Sequence, residues 1–170
     1  MSETQQPGLS PELRSTLIDH VPFAKELGIE LTAIQPGDVS AVVAYRDELV
    51  GDPESGIVHG GVVTALLDNL CGVAVQSSLE TPLAIATLDL RIDYMKPAKP
   101  GLDILARCEC YHKTNRIAFV RGVAHTGDPD KPVAHCTGTF MLASSDAVPT
   151  HTEMYHAAKK SQPKSGQEAK

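Results

Sequence analysis

The stretch GIVHGGVVTALLDNLCGVAV, residues 56–75, predicts one long helix that is apolar on nearly every side. Two features of this helix are unusual. It opens on His59-Gly60-Gly61, and it carries Asp68 in its middle. Burying a carboxylate among apolar side chains costs free energy unless the charge is compensated, so packing alone does not explain Asp68.

The segments around this helix predict short strands. Ahead of it, GIELTAI and VSAVVAY flank the turn Pro36-Gly37-Asp38, and RDELVGDPESG reads as a loop. Behind it follow TLDLRIDYM, LDILARCECY, RIAFVRGVAHT and VAHCTGTFMLA. Strict alternation in the first of these predicts that Thr87 lies on the face opposite to Leu88, Leu90, Ile92 and Tyr94. The pattern therefore predicts an α+β fold in which an antiparallel sheet of about five to six strands wraps around one helix.

Three regions follow from the same pattern. Residues 1–20 form an N-terminal extension, with a short helix that starts at Ser10 and has Pro11 in its first turn. Residues 21–144 form the domain, and the polar residues 145–170 are expected to be a flexible tail. A helix that is apolar all round must be covered on more than one side, and a second copy of the chain is the simplest cover.

The composition excludes several classes of protein. The 170 residues are 42% hydrophobic and 21% charged, as is typical of a soluble globular domain. A net charge of −6 argues against nucleic-acid binding, which needs a basic face. No apolar run approaches the ~20 residues of a membrane span. The N-terminus lacks the features of a secretory signal, so we expect a cytoplasmic protein.

The cysteines and histidines do not have the spacing of metal ligands. Cys71, Cys108, Cys110 and Cys136 contain no C-x-x-C pair, and we expect them to be reduced core residues. The histidines form no constellation with Asp or Cys. We therefore predict no metal.

The start of the helix has the properties of an oxyanion hole. The first amides of a helix have no internal partner and carry a partial positive charge, and a glycine lets a ligand approach closely. The Gly60 or Gly61 amide could therefore stabilise a carbonyl that becomes tetrahedral. Asp68 would be a general base or a nucleophile. Tight helix–sheet packing by the glycines, and a capping role for Asp68, remain the structural alternatives.

The distance between these groups argues for two copies of the chain. Gly60 and Asp68 are eight positions apart, which is about 12 Å along a helix. One carbonyl group cannot contact both groups on the same helix. Two antiparallel helices that cross near Thr64 would bring Gly60 of one copy beside Asp68 of the other.

Two longer segments resemble a known family. SGIVHGGVVTALLDN and ATLDLRIDYMKPAKPG are similar to the hotdog-fold acyl-CoA thioesterases, in particular to the 4-hydroxybenzoyl-CoA and phenylacetyl-CoA thioesterase branch, over roughly residues 25–143. The resemblance implies a hotdog fold that forms homodimers, with homotetramers as an open alternative. It also implies hydrolysis of an acyl-CoA substrate at the dimer interface, without a separate cofactor, since CoA is part of the substrate.

The resemblance also implies roles for individual residues. Gly60 would supply the oxyanion amide and His59 would orient the thioester or its loop. Asp68 of the other subunit would activate water or attack the carbonyl, and Thr87 would help to position that water. Many relatives have an Asn in the loop ahead of His59, and Asp52 would either stand in for it as a substrate contact or only fold the loop. The remaining residues expected to contact the substrate or its CoA moiety are Gly61, Asn69, Tyr94, Met95, Lys96, Pro97, Ala98, Lys99, His112, Lys113, Thr114, Asn115 and Arg116. The resemblance also implies a basic rim for the CoA phosphates in two segments, with Lys96 and Lys99 in the first and Lys113 and Arg116 in the second.

Other functions on the same fold stay open. A non-catalytic acyl-CoA sensor would keep this basic rim and the dimer, but it would not need Asp68. A hydratase or dehydratase would need a histidine and an acid together, which His59 and Asp68 could provide only across a dimer. We expect Leu66, Leu67 and Leu70 to line the acyl pocket, which would suit an aryl ring or a medium aliphatic chain.

Overall fold

The computed structural model describes Ile18 and residues 21–143. The short helix predicted from Ser10, apart from Ile18, and the tail predicted at 145–170 lie outside the described residues. The described elements are, in chain order, α1 (Pro22–Leu27), β1 (Ile29–Gln35), β2 (Asp38–Val43), a 3-10 helix (Asp47–Leu49), β3 (Val50–Asp52), β4 (Ile57–Val58), α2 (Gly60–Ser77), β5 (Ile85–Tyr94), β6 (Ile104–Lys113), β7 (Ile117–His125) and β8 (Ala134–Leu142).

Six strands form one antiparallel sheet in the order β1-β2-β6-β7-β8-β5, and α2 packs against one face of it. The predicted α+β fold is therefore confirmed. The sequence RDELVGDPESG, read as a loop, instead contains the 3-10 helix and β3, and β3 forms a two-stranded ribbon with β4, which follows directly after this segment. The ribbon forms because Leu49 and Val58 are buried, and the His59 amide donates to the Leu49 carbonyl at 2.8 Å.

The two sides of α2 differ in composition. We call the side packed on the sheet the covered face; its buried residues are Val62, Val63, Leu66, Leu67, Leu70, Cys71, Val73, Ala74 and Val75. The open strip consists of Gly61, Thr64, Asp68 and Gly72, which recur at helical spacing and are exposed or half-buried.

The expectation of a helix that is apolar on nearly every side is therefore wrong. The sheet of one protomer already buries the apolar residues of α2, and the strip left open is small and polar. Within one protomer, the expectation that the Asp68 carboxylate is buried is also wrong. Asp68 is half-buried, and none of the described polar or charged residues is fully buried.

Strand β5 lies at the edge of the sheet and contains a β-bulge. Its pairing with β8 shifts between Thr87 and Asp89, which leaves Leu88 as the extra residue, 55% exposed. Gly138 of β8 faces the bulge, and a Cβ there would lie 2.6 Å from the Asp89 carbonyl oxygen. The alternation predicted for this strand is therefore wrong at one point. The bulge brings Thr87 to the same face as Tyr94, the face that contacts α2.

The cysteines are free, as predicted. Cys71, Cys108 and Cys136 are buried between α2 and the sheet, with their sulphur atoms within 4.8 Å of one another. Gly122 pairs with both Cys108 and Cys136, and a Cβ at this glycine would lie 2.5 Å and 2.9 Å from their sulphurs. The absence of a metal stays a prediction.

The sheet carries ion pairs on its solvent side. Arg107 bonds to Asp38 through two nitrogens, and Arg121 bonds to Glu109 at 2.8 Å. Arg91 pairs with Asp93 of the same strand at 2.9 Å. Within the part of the chain that is described, no helix is both long and apolar enough to cross a membrane.

Candidate active site

The start of α2 is held by His59. Its backbone is extended, with φ −61° and ψ 133°, and its Nδ1 accepts a hydrogen bond from the Gly61 amide at 2.9 Å. This is an N-cap, in which a side chain satisfies one of the free amides of the first turn. Gly51 of β3 lies against the other side of His59, where a Cβ would be 2.8 Å from the His59 Cα. The ring is therefore fixed against the helix start.

Neither Gly60 nor Gly61 has a positive φ, and of the two only Gly61 has a close contact that leaves no room for a Cβ. A Cβ on Gly61 would lie 2.8 Å from the Nδ1 of His59, so a larger residue would displace the cap. Since Gly61 donates to His59, its amide is already used. The Gly60 amide has no acceptor among the residues that the structure describes. Of the two amides predicted for the oxyanion hole, Gly60 is thus the one available to a ligand.

Asp68 accepts a hydrogen bond from Thr87, whose Oγ1 lies 3.0 Å from Oδ1 of the carboxylate. The structure thus brings together two residues that the resemblance placed in the site. Asn69, the next residue, donates its side-chain amide to the Ala65 carbonyl at 2.8 Å, so it bonds to its own helix rather than to the site.

Tyr94 contacts the helix start. Its hydroxyl donates to the Gly60 carbonyl at 2.7 Å and lies 2.7 Å from Oγ1 of Thr64. Sequence reasoning missed Thr64 as part of the site, although its position four residues after Gly60 places it above that residue on the helix. Strand β5 therefore contacts α2 at both candidate positions, with Thr87 at Asp68 and Tyr94 at Gly60.

Asp52 is bonded within its own loop. Its carboxylate accepts hydrogen bonds from the Ser55 hydroxyl and from the Glu54 amide. The Ser55 hydrogen bond, followed by that of Glu54, lowers the pKa of Asp52. The structure thus shows Asp52 shaping the 52–56 turn.

A cavity of about 360 Å³ opens beside Gly60. Its lining is mostly apolar and includes five of the predicted contact residues; the lining residues are Ile57, Val58, Gly60, Val63, Tyr94, Met95, Lys96, Pro97, Ala98 and Val133. The prediction that Leu66, Leu67 and Leu70 line a pocket is wrong. All three are fully buried against the sheet.

The two basic segments lie at opposite ends of α2. Lys96 borders the cavity at the helix start, and Lys99 is exposed nearby in sequence. Lys113 instead donates to the Ser78 carbonyl, at the helix end. The structure therefore does not bring the two predicted halves of the CoA rim together within one protomer.

The rest of the second segment forms the β6–β7 turn. Thr114 accepts from the Arg116 and Ile117 amides, so its side chain shapes the turn. The ring of His112 lies against Phe119, with 5.7 Å between centroids. Asn115 and Arg116 are exposed.

Six antiparallel strands against one long helix are the hotdog architecture, and comparison with known proteins agrees. The model of the thioesterase superfamily matches residues 55–133. A Halobacterium salinarum protein named "Putative esterase" is 35% identical over 126 residues, which cover 71% of this chain and 83% of that protein. The chain therefore belongs to the thioesterase superfamily.

Three further proteins extend this result. The medium/long-chain acyl-CoA thioesterase YigI of Salmonella typhimurium is 29% identical over 136 residues, covering 72% of this chain and 86% of that protein. A Pseudomonas aeruginosa protein of known crystal structure is 38% identical in sequence. The two structures superpose with a TM-score of 0.70, and the match covers 76% of this chain and 96% of that chain. The Escherichia coli PaaI protein, from the phenylacetic acid degradation operon, shows the same fold, with a TM-score of 0.66 and 20% sequence identity. This match covers 74% of this chain and 87% of that chain.

Proposed function

We propose that this protein hydrolyses acyl-CoA thioesters at a site shared by two copies of the chain. One observation carries the proposal. The Gly60 amide lies at the start of α2, and the Asp68 carboxylate, hydrogen-bonded to Thr87, lies on the open strip of that helix. Membership of the thioesterase superfamily and the name of the YigI relative support the substrate class.

The residues fit the chemistry of thioester hydrolysis. The Gly60 amide would donate to the thioester oxygen as the carbonyl carbon becomes tetrahedral. Asp68 would take a proton from the attacking water, and collapse of the intermediate would release the acid and the CoA thiolate. The Thr87 hydrogen bond to Oδ1 would leave Oδ2 to receive the proton.

A covalent route uses the same residues. Asp68 would attack the carbonyl carbon and expel the CoA thiolate, and water would then cleave the resulting anhydride. In both routes Gly60 stabilises the same oxyanion.

The spacing of the two groups supports a shared site. Eight residues of helix separate them by about 12 Å, more than one carbonyl group can span. Strand β5 is an unpaired edge next to the open strip, and its residues Leu88 and Tyr94, with Met95 after it, are at least half exposed. A second copy that packs antiparallel with its helix crossing near Thr64 would complete two equivalent sites. Further pairing into tetramers would use other surfaces.

The same arrangement would unite the two basic segments. In an antiparallel pair, the end of one helix lies on the same side as the start of the other. Lys113 at the end of α2 in one copy would then extend the path that begins at Lys96 in the other. The end of the helix lies about 21 Å beyond Thr64, a span suited to a long ligand such as CoA.

Hydrolysis of phenylacetyl-, benzoyl- and straight-chain CoA esters by purified protein tests the activity. We expect Asp68→Asn to lower kcat by about 100-fold or more, because amide nitrogen cannot accept the proton. Asp130→Asn, in an exposed turn, is the matched control and should match wild type. Hydrolysis by Asp68→Asn at near the wild-type rate would refute the assignment. CoA binding by the wild type without turnover would identify a binding protein instead.

Mixed dimers test whether the site is shared. Gly60→Pro removes the amide hydrogen at the first helical position, which proline favours, and the extended backbone of His59 tolerates a following proline. Each variant alone should be inactive. Random pairing of Asp68→Asn with Gly60→Pro gives half heterodimers, each with one intact site, so about a quarter of wild-type activity should return. No return of activity in a confirmed heterodimer would place the site within one protomer.

A further inference from the structure

Tyr94 has no part in the chemistry just described, yet its hydroxyl points at the helix start. We infer that Tyr94 is a positioning residue, which holds the Gly60–Gly61 peptide so that the Gly60 amide points at the oxyanion. This inference rests on the proposed function, and it replaces the expected role of Tyr94 as a substrate contact. It depends on the hydrogen bonds around one peptide group.

The hydrogen bonds of this cluster can be assigned consistently. The Gly60 carbonyl can only accept, so Tyr94 donates its hydroxyl hydrogen to it at 2.7 Å. The tyrosine oxygen is then free to accept from the Thr64 hydroxyl, which lies 2.7 Å away. Thr64 is also 3.3 Å from the Gly60 carbonyl. Since the one hydrogen of the Thr64 hydroxyl is donated to Tyr94, Thr64 positions the Tyr94 hydroxyl, and Tyr94 in turn holds the Gly60 carbonyl oxygen.

The same peptide group is held at its other end. The Gly60 carbonyl and the Gly61 amide belong to one planar unit. Tyr94 holds the oxygen, and the Nδ1 of His59 holds the hydrogen at a nitrogen distance of 2.9 Å. The orientation of the peptide plane between Gly60 and Gly61 is therefore fixed. The Gly60 amide belongs to the preceding peptide group, on the other side of the Gly60 Cα. Because glycine has wide conformational freedom, fixing the Gly60–Gly61 peptide plane restricts the direction of this amide.

Exposure alone does not explain the orientation of this side chain. Tyr94 is 50% exposed and Tyr111, on strand β6, is 51% exposed. Tyr111 makes ring contacts, with Arg121 5.4 Å above it and Phe119 at 6.5 Å between centroids. Tyr94 instead aims its hydroxyl at a helix start, and a Cβ on Gly60 would lie 3.4 Å from that oxygen. Tyr111 is thus a matched control for loss of a tyrosine hydroxyl.

The test compares Tyr94→Phe with Tyr111→Phe in the full-length chain, using the best thioester of the panel. We expect Tyr94→Phe to lower kcat by about 10- to 100-fold with KM changed by less than about twofold, since preorganised donors act in the transition state. Tyr111→Phe should match wild type. Thr64→Ser keeps a hydroxyl and should retain most activity, whereas Thr64→Val should lose part of it.

Amide hydrogen exchange gives a readout that does not need turnover. In Tyr94→Phe the Gly61 amide should exchange about 10-fold faster than in wild type, because its peptide plane is released. Exchange and kcat both equal to wild type would overturn the inference, and so would a raised KM with unchanged kcat. A wild-type protein without thioesterase activity would refute the proposed function, while the exchange rates would still decide the role of Tyr94.

Discussion

The covered face and the open strip of α2 lie on one helix but have different roles, the first in stability and the second in the candidate site. Leu66, Leu67 and Leu70 are fully buried on the covered face, whereas Thr64 and Asp68 on the open strip are exposed or half-buried and bond to strand β5. Apolar burial is the main favourable term in folding, so the covered face should determine stability. The open strip holds Thr64 and Asp68, whose hydrogen bonds make them candidates for a role in the reaction.

Neighbouring substitutions at 67 and 68 test this separation most directly. Leu67→Ala should lower the free energy of unfolding by about 2–5 kcal/mol, because it leaves a cavity in a packed core. Asp68→Asn should change it by less than about 0.5 kcal/mol, because its side chain is half-buried and the amide still accepts from Thr87. Urea unfolding followed by circular dichroism measures both. Equal losses of stability would remove the distinction between the two sides.

Substitutions at two glycines, one beside the buried cysteines and one on the open strip, test the same difference between the core and the open strip. Gly122→Ala should destabilise by about 1–3 kcal/mol, because its Cβ would press on the buried sulphurs of Cys108 and Cys136. Gly72→Ala on the open strip is the matched change. Its Cβ would meet Ile85 and Phe140 at an ordinary 3.7 Å, so it should stabilise by about 0.5–1 kcal/mol through helix propensity. Thermal unfolding of both variants measures the difference, and a destabilising Gly72→Ala would contradict it.

A small effect is also expected on the solvent side of the sheet, away from α2. Hydrogen bonding by Arg107 lowers the pKa of Asp38, so this pair stabilises the fold above the unfolded pKa of the carboxyl, and the contribution is lost as the pH falls. Arg107→Gln should cost less than about 1 kcal/mol at pH 7, since the pair is partly exposed and screened by solvent.

The difference between Arg107→Gln and wild type should be smaller at pH 3 than at pH 7, because the contribution falls once the pH drops below the unfolded pKa of the carboxyl. Unfolding in urea at pH 7 and at pH 3 measures it. A difference that grows on acidification would contradict the assigned pKa shift.

Most of the fold could be predicted from the sequence, because helix and strand periods are local patterns. The order of two strands, one long helix and four strands is confirmed. The amphipathic nature of α2 was not recognised, since Gly61, Thr64 and Gly72 look compatible with burial. The ribbon of β3 and β4 was missed because strands of three and two residues carry no readable period.

The site was predicted less completely. Gly60 and Asp68 follow from the chemistry of a helix start and of a carboxylate on an apolar helix, whereas His59 and Thr87 follow from the motif resemblance. The structure pairs Asp68 with Thr87 and His59 with Gly61. Thr64 was missed because a threonine on a helix gives no signal of its own. The leucines were wrongly assigned to a pocket, because sequence alone does not say which side of an apolar helix meets the sheet.

The extra residue at Leu88 has a consequence for reading relatives of this chain. In a regular strand, side chains an odd number of positions apart are on opposite sides, yet Thr87 and Tyr94 are seven apart and both reach the helix. One inserted residue has changed the parity of the strand. A related chain without this insertion should therefore carry its threonine and tyrosine six positions apart, and an alignment that ignores the gap would pair the wrong side chains.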